Sequence, residues 1–171
     1  REMGLPIGPI ILATNANRII ADYFESLEWL PRASLQTLAS AMDVGDPSNM
    51  ERLRHLIGEA DVLRDQLSVS SVNDDEIEAT LRQDFASFGF ATCPHTATAT
   101  HTWRNLDPAL TEEHDWIMVA TAHPAKFETI VEPLIGEAIP LPPDLEYILA
   151  RPASAVSIDP TLHSLAAALQ D

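Results

Sequence analysis

The first clear pattern is an unbroken apolar run, Pro9-Ile10-Ile11-Leu12-Ala13, that stops at the polar pair Thr14-Asn15. A run this short and apolar on both faces predicts a buried strand of an α/β sheet over residues 9–13. Behind it the period changes. Ile19, Ile20, Tyr23, Phe24 and Leu27 recur at helical spacing, with Asn17 placed to cap the helix. A strand, a polar turn and a helix in that order is where α/β folds keep ligands, so Asn15 and Asn17 become candidates.

Residues 31–47 are polar and predict a loop around Ala41-Met42-Asp43-Val44. Asn49 is a candidate cap for a helix carrying Leu53, Leu56 and Ile57, and an amphipathic piece follows over about residues 60–67. Asp74 or Asp75 is placed to cap a longer helix with Ile77, Leu81, Phe85 and Phe88 on one face and Gly89 closing it. Pro94-His95-Thr96-Ala97 opens another helix, running to about Leu106. Asp115-Trp116-Ile117-Met118-Val119-Ala120 predicts a second strand, ending in Thr121-Ala122-His123-Pro124. Pro124 suits a first helical turn, and Phe127, Ile130, Val131 and Leu134 are spaced for the helix that follows. The remainder is proline-rich and ends in a helix over about residues 160–169. The fold class expected is α/β, a small parallel sheet near residues 9–13 and 116–121 surrounded by many helices.

With 46% hydrophobic residues in 171, the chain can build one core of ordinary size. A formal net charge of -16 repels polyphosphate backbones and anionic surfaces, so neither nucleic acid nor a membrane is an expected partner. One cysteine, Cys93, excludes an internal disulfide and any multi-cysteine zinc site, and a reducing cytoplasmic setting fits best. Arg1-Glu2-Met3-Gly4-Leu5-Pro6 reads like a helix end closed by glycine and proline, which suggests a stretch of something longer.

No histidine pair has metal-binding helical spacing with a carboxylate nearby, so no metal is expected. The six glycines are scattered singly, which leaves no glycine-rich phosphate loop. Cys93 reads as a small buried residue. The two junctions at Thr14-Asn15-Ala16-Asn17 and Thr121-Ala122-His123-Pro124 join apolar runs to polar helix starts. Ordinary capping accounts for each of them, and so does a ligand.

Four motifs in order decide between these readings. Ala13-Thr14-Asn15-Ala16-Asn17 comes first, then Ala41-Met42-Asp43-Val44 with Pro47-Ser48-Asn49-Met50-Glu51-Arg52, then Pro94-His95-Thr96-Ala97, then Thr121-Ala122-His123-Pro124-Ala125-Lys126-Phe127. Together they resemble the C-terminal portion of the threonine synthase family. The resemblance implies a partial fold-type-II pyridoxal-phosphate architecture whose complete form converts O-phosphohomoserine and water to threonine and phosphate. It places the Schiff-base lysine and the cofactor-phosphate loop upstream of Arg1, so no catalytic residue is expected in this chain and the stretch alone should be inactive. The sole lysine, Lys126, reads as a surface residue of the helix start.

By the same resemblance Thr121 matches the position whose hydroxyl bonds the pyridine nitrogen of pyridoxal phosphate. Asn15, Asn17, Arg18, His95 and His123 are then candidate substrate-binding residues, Arg18 as a bidentate anion partner. The family often has an acidic residue after the second asparagine, a departure that weakens Arg18, and helix-start capping accounts equally for His95 and His123. The implied partners are O-phosphohomoserine and the missing N-terminal part of the same protein. The competing reading is a free-standing α/β domain that binds a small anion or a protein, which predicts a closed, self-sufficient core.

Overall fold

The computed structural model describes residues 3–169, which divide between Ile139 and Pro140 into two units. The first unit begins with strand β1 (Ile10–Thr14) and helix α1 (Ile19–Ser26). After a 3₁₀ turn at Ser40–Met42 come α2 (Met50–Leu56), α3 (Ala60–Gln66) and strand β2 (Leu67–Ser71). Helices α4 (Asp74–Phe88), α5 (Pro94–Arg104) and α6 (Pro108–Glu113) follow, then a second 3₁₀ turn at Pro124–Phe127 and α7 (Glu128–Ile135).

β1 and β2 pair in parallel, with Ile10 opposite Leu67 and Thr14 opposite Ser71. Parallel neighbours need a long crossover, and here α1, α2 and α3 supply it. Two strands alone are marginal, so the sheet depends on what packs around it. One cluster joins Tyr23, Phe24, Met50, Leu63 and Leu67, with Ile10 and Leu12 against it. A second joins Ala39, Val72, Ile77, Leu81, Ala97 and Val131, with Met42 and Phe127 against it. Each fully buried side chain of this size stabilises the fold by about 1.5–3 kcal/mol before entropy is counted. The fold class is therefore as expected, a small parallel sheet among many helices, but its second strand lies elsewhere.

Residues 115–120 form no strand among the described residues. A strand needs a neighbour to take its N–H and C=O groups, and none is offered. Ile117 and Val119 are 88% and 71% exposed. The place beside β1 is taken instead by Leu67–Ser71, where the expected helical piece ends and a short apolar-polar alternation begins.

Three caps also differ from expectation. Asn73, not Asp74 or Asp75, caps α4 through a reciprocal box in which its side chain accepts from the Glu76 N–H and the Glu76 carboxylate accepts from the Asn73 N–H. Asp74 instead accepts from the Leu38 N–H at 3.0 Å. Asn49 precedes α2 without a side-chain cap bond. Arg18, not Asn17, occupies the cap position of α1, because the Asn17 amide is drawn to the 31–45 loop.

The second unit carries α8 (Pro143–Leu149) and α9 (Leu162–Ala168), with the Thr161 hydroxyl accepting from the Ser164 N–H to cap α9. Neither helix has a buried residue. The expected helix end over residues 1–6 lies partly outside the described residues, although Gly4 has the left-handed φ of 78° that such a closure uses. No helix among the described residues is long and apolar enough to cross a membrane.

Candidate functional site

The end of β1 turns directly into a buried polar network. Asn15 is fully buried, and its amide nitrogen donates to the Thr37 hydroxyl at 2.7 Å, the Asp43 carboxylate at 2.7 Å and the Ala39 carbonyl at 3.2 Å. Its amide oxygen accepts from the Asn17 N–H at 2.9 Å, an Asx turn that aims both asparagines at the same loop. Asn17 then grips the Leu35 backbone in both directions, donating to its carbonyl at 2.9 Å and accepting from its N–H at 2.8 Å.

Asp43 is the hub. Its carboxylate receives four hydrogen bonds, from the amides of Asn15 and Asn17 and from the hydroxyl and backbone N–H of Thr37, at 2.7 to 3.1 Å. Bonds to an ionised acceptor are about twice as strong as neutral ones, so this carboxylate binds the 37–43 segment firmly to the end of β1.

Two residues before Asp43, the Ala41 N–H donates to His95 Nε2 at 2.9 Å, joining the loop to the start of α5. His95 is 8% exposed, its ring lies 4.9 Å from that of Phe127, and its Nδ1 has no hydrogen-bond partner among the described residues. Burial pushes the imidazole below the usual histidine range, while the neighbouring Asp43 carboxylate pulls the other way. A pH dependence follows, with a definite sign. The unfolded chain takes up this proton near pH 6.5 and the folded chain only at lower pH, so the stability due to His95 is complete above 6.5 and declines as pH falls below it. Urea unfolding midpoints of the wild type and His95→Gln should converge between about pH 7 and pH 5. A constant difference would contradict this.

Phe127 ends the 3₁₀ turn that His123 begins, and the His123 Nδ1 accepts from the Ala125 N–H at 3.2 Å. His123, Thr121 and Lys126 are all exposed, and the Thr121 hydroxyl makes no hydrogen bond among the described residues. Arg18 turns away from the cluster to Asp22 at 3.1 Å and Glu25 at 2.7 Å. Of the residues singled out from sequence, Asn15, Asn17 and His95 thus share one network. Thr121 and His123 precede the turn that ends at Phe127, and Arg18 stands apart. Asp43 and Thr37 were not singled out, although two neighbouring buried amides imply an acceptor, and the Asp43 motif was in view. No group of three or more metal-ligating side chains occurs among the described residues.

A family model described as threonine synthase, C-terminal, matches residues 96–168. The threonine synthase of Serratia marcescens is 36% identical over 142 residues, 83% of this chain and 32% of that protein. That of Escherichia coli K12 is 33% identical over 145 residues, 85% of this chain and 33% of that protein. The crystal structure of threonine synthase from Escherichia coli superposes with a TM-score of 0.81 at 29% identity, covering 98% of this chain and 38% of the other. A PLP-bound threonine synthase from Brucella melitensis gives a TM-score of 0.72 at 28% identity, covering 89% of this chain and 38% of the other. The chain spans about a third of the length of the curated relatives it matches. Matched in sequence over most of its length and in fold over nearly all of it, the chain belongs to the threonine synthase family, in the region of that family's C-terminal model.

Proposed function

We propose that this chain forms the C-terminal side of the active site of an enzyme that converts O-phosphohomoserine and water to threonine and phosphate with pyridoxal phosphate. The observation that carries the reading is convergence. Asn15, Asp43, His95 and Phe127, one from each of the four motifs, meet in a single network though up to 112 positions separate them. Structural relatives of the same fold are threonine synthases, one of them PLP-bound.

Thr121 suits the cofactor's pyridine nitrogen, because its hydroxyl is exposed and uncommitted among the described residues. Bound pyridoxal phosphate would supply the electron sink for carbanion chemistry at the substrate. A neutral hydroxyl on the ring nitrogen would orient the ring without delivering a full proton. The asparagine amides are already committed to the loop, so their part is to shape the pocket wall, and Arg18 would have to leave two carboxylates to take an anion. His123 supports the turn that follows Thr121. The sole lysine, Lys126, is exposed, and we assign it no role in the chemistry, so the 171-residue stretch alone should not turn over.

The exposed Ile117 and Val119 fit a surface covered by the rest of the enzyme better than a self-contained anion-binding domain, and a cytoplasmic setting follows from the same reading. The test is Thr121→Val in the complete enzyme, which keeps shape and β-branching but removes the hydroxyl. An unpaired ring nitrogen costs about 1–3 kcal/mol, so threonine formation should fall by roughly ten- to a hundredfold, with a shifted cofactor spectrum. Thr121→Ser should lose much less. Equal behaviour of the two variants, with neither spectrum shifted, would remove Thr121 from the site.

A further inference from the structure

The His95 ring is more tightly specified than its burial requires. Ala41 has only an N–H to offer Nε2, so that nitrogen must keep its lone pair and the neutral ring carries its proton on Nδ1. Nδ1 has no hydrogen-bond partner among the described residues, and the residue is more than nine-tenths buried. Whether the Ala41 N–H arrives at Nε2 depends on the course of residues 37–43. That course is set largely by Asp43, whose carboxylate gathers Asn15, Asn17 and Thr37.

We propose that Asp43 is a positioning residue which, through the 37–43 loop, holds His95 as the neutral Nδ1–H tautomer, so that the ring serves the site as a neutral hydrogen-bond donor and not as a base or a cation. The inference rests on the reading of the site given above, but its first consequence is independent of catalysis. A ring whose Nε2 lone pair is occupied cannot abstract a proton there, and a ring that resists protonation adds no positive charge beside an anionic substrate. Asn15 and Asn17 then act on the chemistry through Asp43 rather than by touching the substrate.

Nitrogen NMR of the intact protein labelled at histidine tests this directly. The wild type should show His95 protonated on Nδ1, with Nε2 in the shift range of an acceptor, across neutral pH. Asp43→Asn is nearly isosteric, but it can turn an amide N–H toward the Thr37 N–H. It should leave the ring in a mixture of tautomers. Thr37→Val, which removes one of the four bonds to Asp43 together with the hydroxyl that accepts from the Asn15 amide, but no charge, should shift the same population less, and it decides the matter if Asp43→Asn does not fold. A wild-type ring protonated on Nε2, or a folded variant with an unchanged tautomer, overturns the proposal.

Kinetics of the complete enzyme supply the second arm. Glutamine keeps a neutral acceptor and a neutral donor, so His95→Gln should retain kcat within about tenfold, whereas loss of a general base costs roughly a hundredfold or more. A loss of that larger size overturns the donor role. Absence of threonine synthesis by the wild type would instead remove the functional reading and leave the tautomer result standing.

Discussion

Asp84→Asn should destabilise the protein by about 3–5 kcal/mol, the loss expected when one partner of a buried ion pair is removed. Asp84 is fully buried and accepts from the Thr92 and Thr100 hydroxyls at 2.7 and 2.8 Å and from Arg104 Nη1 at 2.5 Å. The Arg104 side chain is only 16% exposed, its Nη2 has no partner among the described residues, and its guanidinium lies 5.3 Å from the centre of the Phe88 ring. Asparagine fits the same space but leaves the guanidinium in low dielectric with no counter-charge. It also puts an amide N–H where at least one hydroxyl or Nη1 hydrogen now points. The check is a urea unfolding cycle with Arg104→Met. Arg104→Met on the Asp84→Asn background should cost far less than on the wild type, because the charge is already unpaired there. Additive losses would mean that the two side chains are held independently.

Gly45→Ala should cost about 3 kcal/mol, at the upper end of what overpacking does, because the obstacle is backbone and not a movable side chain. A Cβ built on Gly45 lies 1.8 Å from the Arg32 carbonyl oxygen and 3.1 Å from the Ser34 nitrogen. The Arg32 N–H donates to the Gly45 carbonyl at 3.0 Å, and the Gly45 N–H donates to the Ser34 hydroxyl at 3.0 Å, so the two strands of this loop are tied where the methyl would enter. Gly89→Ala is the control. Gly89 has a φ of 73° but open space around its Cβ, so only the left-handed backbone penalty of about 1 kcal/mol applies. Thermal and urea midpoints of the two variants should differ accordingly. Equal losses would show that close approach is not what requires glycine at position 45. Because Asp43 lies two residues away, Gly45→Ala should also disturb the His95 tautomer.

The parts of the fold that were legible are those where local pattern and burial agree. β1 and α1 follow from an apolar run and a helical stripe that both feed one core, and α4, α5 and α7 begin within a few residues of where spacing and proline placed them. The stripe of Ile77 and Leu81 also carries position 84 on the buried face, so a buried Asp84 was implicit in the period, although its partner Arg104, twenty residues on, was not. Residues 115–120 show the reverse case. Their apolar composition is that of a strand, but a strand is completed by a neighbour, and composition does not supply one.

The sequence alone determined the helical and apolar periods, the acidic balance, the single lysine and the four motifs that carry the resemblance to the family, because each of these is a property of residue identity and spacing. Tertiary structure decided which polar groups were spent. The Asn15 and Asn17 amides have the right chemistry to hold an anion, yet a carboxylate 26 to 28 positions away claims them. Arg18 has the right fork for a phosphate, yet Asp22 and Glu25 on its own side of α1 take it. His95 has two ring nitrogens to offer, and the Ala41 N–H takes Nε2. A polar side chain's role depends on which partner reaches it in the folded chain. Hydrogen bonds act over about 3 Å, and the spacing of residues along the sequence says little about which groups come that close.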